Sequence, residues 1–130
     1  GLSAPVDSPS VAVRALRGAT TLDEDTPEHM HKRVQELLRE MLARNDVAHD
    51  DLISIVFTAT GDIRSMFPAA AARAIGLGDV PLLCARELDV DGGTPMCIRV
   101  LMHITTERSR GELRHVYLEG ARGLRDDLPG

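Results

Sequence analysis

Apolar positions follow two rhythms along this chain, and the switches between them outline its elements. Val11-Ala12-Val13-Arg14-Ala15-Leu16-Arg17 reads as a first strand, with Gly18 to Thr21 continuing or turning it. Thr26-Pro27 marks a helix start, a hydroxyl cap followed by proline at the first helical position. Met30, Val34, Leu37, Leu38, Met41 and Leu42 then recur at the helical period, with charges on the other face, until Asn45. Leu52 to Ala59 reads as a second strand, broken at Gly61-Asp62. Pro68 opens a short helix over Ala69 to Ile75 that stops near Gly76 and Gly78. Val80 to Cys84 predicts a third strand, 97–106 a long fourth after the Gly92-Gly93 turn, and Leu113 to Leu118 a fifth.

This order predicts an α+β fold: a mixed sheet of about five strands with one long and one short helix. Several strands are apolar on both faces, notably 97–104, and two helices cannot cover both faces of such a sheet. A homo-oligomer is therefore expected. The boundaries read as a flexible leader over residues 1–10, a single domain over 11–119, and a mobile C-terminal tail over 120–130.

Composition narrows the function. The aromatic residues are Phe57, Phe67 and Tyr117, too few for a base-stacking platform. A net charge of −5 argues against a phosphate-backbone binder, so no nucleic-acid partner is expected. No apolar run approaches membrane-spanning length, so no membrane partner is expected either. Cys84 and Cys97 match no zinc or redox spacing and read as reduced thiols, which points to a cytoplasmic protein. Every basic residue but Lys32 is an arginine, so only arginines in apolar surroundings are informative.

Arg99 is the most informative of these. It sits within Cys97-Ile98-Arg99-Val100-Leu101-Met102, and burying a permanently charged guanidinium unpaired is expensive. Its partner is either an internal carboxylate, Glu87 or Asp89, or a bound anion. Arg17 ends another strand-like run. Phe67-Pro68-Ala69 starts a helix with small residues in its first turn, and Arg73 follows on the same face as Ala69. Tyr117 is the only tyrosine. The histidines lack ligand spacing, and no nucleophile motif or glycine-rich phosphate loop is present, so no metal and no cofactor are expected. Arginines, one glutamate and one tyrosine suit binding of a dianionic small molecule, or a reaction that needs only positioning and electrostatics.

Five motifs in order carry a resemblance. They are Arg14-Ala15-Leu16-Arg17-Gly18-Ala19-Thr20-Thr21, Met66-Phe67-Pro68-Ala69, Glu87-Leu88-Asp89-Val90 with Gly92-Gly93, Cys97-Ile98-Arg99-Val100, and Arg114-His115-Val116-Tyr117-Leu118-Glu119. Together they resemble the monofunctional trimeric chorismate mutases, the AroH class, from about residue 11 to Leu128. The resemblance implies a trimeric pseudo α/β-barrel with an active site in each subunit interface, rearranging chorismate to prephenate in aromatic amino-acid biosynthesis. It implies that Arg17 and Arg99 hold the substrate carboxylates and ether oxygen. Glu87 would take the ring hydroxyl with Cys84 nearby, and Tyr117 would bond a carboxylate. Phe67 and Arg73 would come from the adjacent subunit, and Arg125 would lie near the mouth on the tail. Ala70 stands where the family often has Lys, and Leu83 where it often has Thr. The alternative is a non-catalytic trimeric module that binds a small carboxylate.

Overall fold

The computed structural model describes residues 11–124. The expected leader, Arg125 and the rest of the chain end lie outside these residues. Strand β1 (Ala12–Thr21) leads to helix α1 (Pro27–Arg44), strand β2 (Leu52–Ala59) and helix α2 (Pro68–Ala72). Strands β3 (Leu82–Arg86), β4 (Cys97–Thr106) and β5 (Val116–Tyr117) follow. The sheet order is β3-β2-β4-β1-β5. β4 runs antiparallel to both its neighbours, β1 and β2, while β2–β3 and β1–β5 pair in parallel. This is the expected mixed five-stranded α+β sheet. Among the described residues, no helix is long and apolar enough to cross a membrane.

Thr26 caps α1, its hydroxyl accepting the His29 N–H at 3.2 Å, with Pro27 in the first turn. The helix lays Met30, Val34, Leu37, Leu38 and Met41, all fully buried, onto one face of the sheet. They meet Leu16 of β1, Phe57 of β2, and Val100, Met102 and Ile104 of β4. Each such side chain contributes roughly 1.5–3 kcal/mol by leaving water, so this stripe holds the helix in place. Gly18 lets the helix approach: a Cβ there would stand 2.5 Å from Met41 Sδ. Arg33 is also buried, but its donors are met by the Thr21 carbonyl and Asp23. It is a buried guanidinium with a structural job.

Three elements differ from expectation. β5 is two residues long rather than six, because side chains take the hydrogen bonds a longer strand would use. Asn45 donates to the Arg114 carbonyl and accepts its N–H, at 2.8 and 2.7 Å, and Arg17 N–H donates to the His115 ring at 3.0 Å. β3 begins two residues later than predicted. α2 gives way at Arg73 to a wider π-type turn, Arg73–Leu77, with Gly76 at φ +90°. The segment expected to be a loose tail from residue 120 is docked at its start. Glu119–Ala121 form a 3₁₀ turn, and Ala121 is fully buried against Ala19 and Cys97.

Both helices join one core cluster, so they cover the same face of the sheet. The strand register sends Arg17, Arg99, Leu101, Val56, Thr58, Leu83 and Ala85 to the other face. That face stays open in the single chain: Val13 is 63% exposed, Leu83 62% and Leu101 38%.

Candidate active site

The apolar run around Arg99 resolves into two faces. Ile98, Val100 and Met102 point under the helices, while Arg99 and Leu101 point to the open face. Arg99 is therefore not sealed in the core; its side chain is 44% exposed. Its Nε meets Glu87 Oε1 at 3.2 Å. Both readings of that pair survive, because the guanidinium also lines a cavity of about 260 Å³. Glu87 is placed by the end of β3, where its N–H donates to the Ala59 carbonyl at 3.0 Å.

Arg17 and Tyr117 line the same cavity from β1 and β5, and Val56 and Leu101 give it an apolar floor. The Nε of Arg17 is buried with no hydrogen-bond partner among the described residues. A buried charged donor left unpaired costs more than a neutral one, and this one borders the cavity. The cavity thus joins a guanidinium anchored on a carboxylate to a second one without an anion.

Two groups at this site were not singled out from the sequence. Thr58, directly across the register from Arg99, donates its hydroxyl to Glu87 Oε1 at 2.8 Å. Cys97 lies buried beside Arg99, and burial pushes its thiol pKa up, partly offset by the Arg99 charge. Cross-strand register decides the Thr58 contact and is not written in the local pattern, whereas Cys97 shares the Arg99 face through the two-residue period of β4.

The remaining predicted residues lie elsewhere. Cys84 pairs with Phe57 in the β2–β3 register, which turns its side chain away from the Arg99 face. It lines a larger cavity of about 560 Å³ together with Phe67, which is 69% exposed. Arg64 and Arg86, also not foreseen, are exposed and line that second cavity. Arg73 is exposed and lines neither cavity. Apart from Arg73, the candidate residues among those described therefore line two separate cavities of one chain.

Residues 13–128 match the family described as chorismate mutase type I. The chain belongs to the type I chorismate mutases. It is 49% identical to the chorismate mutase AroH of Thermus thermophilus over 117 residues, covering 89% of this chain and 96% of that one. It is 39% identical to the chorismate mutase AroH of Bacillus subtilis (strain 168), over 89% of this chain and 92% of the relative. Among solved structures, a chorismate mutase from Clostridium thermocellum superposes with a TM-score of 0.82 at 44% identity. That match covers 84% of this chain and 97% of the other.

Proposed function

We propose that this chorismate mutase works as a homotrimer. Each of its sites combines the Arg17–Glu87–Arg99–Tyr117 cavity of one subunit, with Cys84 near Glu87, and Phe67 and Arg73 of the next. The observation that carries the residue assignment is the pairing of an unpartnered Arg17 with a Glu87-anchored Arg99 in one cavity. The exposed apolar side chains on the open sheet face support the assembly, since a second subunit would cover them.

The reaction, chorismate to prephenate, is a unimolecular rearrangement. It needs no proton transfer, no nucleophile and no metal. The enzyme must hold the substrate in the compact conformer that brings the reacting carbons together. Arg17 and Tyr117 bind carboxylates, and Glu87 takes the ring hydroxyl. The C–O bond breaks ahead of C–C formation, so negative charge builds on the ether oxygen. Arg99 stabilises that charge more in the transition state than in the ground state. Phe67 and Arg73 close the site from the neighbouring subunit. A cytoplasmic setting accords with two free cysteines, Cys84 and Cys97.

A non-catalytic carboxylate-binding trimer draws its support from Ala70, where a lysine is expected. Arg64 and Arg86 weaken that support, because they bring guanidinium charge to the cavity beside Phe67. One assay separates the readings: mix purified protein with chorismate and follow its diene absorbance. The absorbance falls if the protein is the mutase, and a steady signal at micromolar enzyme leaves only binding.

A further inference from the structure

A carboxylate offers about four lone-pair sites, two on each oxygen. At Glu87 two hydrogen bonds come from within the chain, one on each oxygen. Oε1 accepts the Thr58 hydroxyl at 2.8 Å and forms an ion pair with Arg99 Nε at 3.2 Å, and Oε2 accepts the Leu88 N–H at 3.2 Å. Oε1 is thus the oxygen crowded by protein groups. We infer that Thr58 is a positioning residue: its hydroxyl ties down Oε1 beside Arg99, fixing the carboxylate so that Oε2 is the oxygen presented to the substrate. This inference rests on the proposed roles of Glu87 and Arg99.

The geometry explains why a hydroxyl is needed at this position. Thr58 and Arg99 face each other across β2 and β4, on the open side of the sheet. Glu87 enters from the end of β3, and its backbone is tied to Ala59, one residue beyond Thr58. One carboxylate oxygen therefore joins three strands at one point. Without the Thr58 hydroxyl, Oε1 keeps only the Arg99 contact. The carboxylate can then rotate about its terminal torsion, which is soft for a glutamate. Rotation moves both the acceptor for the substrate hydroxyl and the anchor of the Arg99 fork. Because a preorganised donor must already be in place when charge develops, the loss falls mainly on turnover.

Thr58→Val keeps the branched shape and strand preference and removes only the hydroxyl. The expected result is a fall in kcat of about 10- to 100-fold, the range for a lost hydrogen bond to a charged group, with a smaller change in KM. Thr58→Ser restores the donor and recovers most of the lost rate. In a Glu87→Ala background, Thr58→Val then changes kcat less than about twofold, because the hydroxyl acts through the carboxylate. Should Thr58→Val fail to fold, Thr58→Ala carries the same cycle. A Thr58→Val enzyme within twofold of wild type, or effects that multiply in the double variant, overturns the inference. An inert wild-type enzyme overturns instead the proposed function on which it stands.

Discussion

Arg99 is held at its Nε by Glu87 and borders the cavity, so removing it and shortening it test different things. Arg99→Ala deletes the charge. Arg99→Lys keeps a charge but loses the planar fork. Both should fold, because the side chain is not part of the core, and both should lower kcat by about 100- to 1000-fold, as for loss of one preorganised donor. Near-wild-type turnover in either removes the electrostatic role. Turnover should also be flat around neutral pH with no solvent deuterium effect, since no proton moves in the slow step. At this scale the arginines were legible because a permanent cation in an apolar run needs an explanation. The facing of Cys84 toward the Phe57 side was not legible, because it follows the β2–β3 register. Thr58 was invisible because a threonine in a strand is ordinary until the residue opposite it is known.

Elements carry the site through a few close approaches. Gly18 follows Arg17 on β1 and lies under α1, where an added Cβ would meet Met41 Sδ at 2.5 Å and Leu37 Cδ1 at 3.2 Å. Met41 and Leu37 are both fully buried, so any shift has to be absorbed within the core. Gly18→Ala should therefore cost about 1–3 kcal/mol by overpacking, measured by urea unfolding. A neutral effect means the helix shifts easily. Asp25 makes the second tie. Its carboxylate accepts the N–H groups of Arg64 and Ser65 at 2.8 and 3.1 Å, fastening the loop that leads to Phe67. The Arg64 backbone bond is the largest cause holding its pKa below the ordinary value, followed by Ser65. The folded state thus binds the proton less readily than the unfolded chain does. The contribution is complete above the ordinary value of 3.8 and is lost as pH falls through the lower folded value. Melting temperature should drop on acidification in that window, and the drop should be shallower in Asp25→Asn. An identical slope assigns acid lability to other carboxylates. The helices were legible from periodicity and capping, whereas β5 was overestimated because nothing local announces that Asn45 will bind Arg114.

For the whole molecule, one sheet face is covered by helices and the other carries exposed valine and leucine between charged site residues. That asymmetry was readable from strands apolar on both sides, whereas the separation of Arg99 from Phe67 was carried by the resemblance and not by the local pattern. It depends on which face each residue takes once five strands are in register. Arg99 and Phe67 line separate cavities of one chain, so a shared site predicts that defects in the two can complement each other. Arg99→Ala disables one half-site. Phe67→Asp disables the other by placing a negative charge against a dianionic substrate, and at an exposed position it leaves the fold intact. In a cyclic trimer each site draws Arg99 from one subunit and Phe67 from the next. Random co-assembly in equal parts makes about three quarters of trimers mixed, each with one intact site, so about a quarter of all sites are restored. Co-expressed variants should thus regain roughly that share of wild-type turnover, while each alone stays near background. Light scattering should report about three chains per particle throughout. A trimer whose mixtures stay inactive would confine the whole site to one chain, and a monomer would remove the shared site altogether.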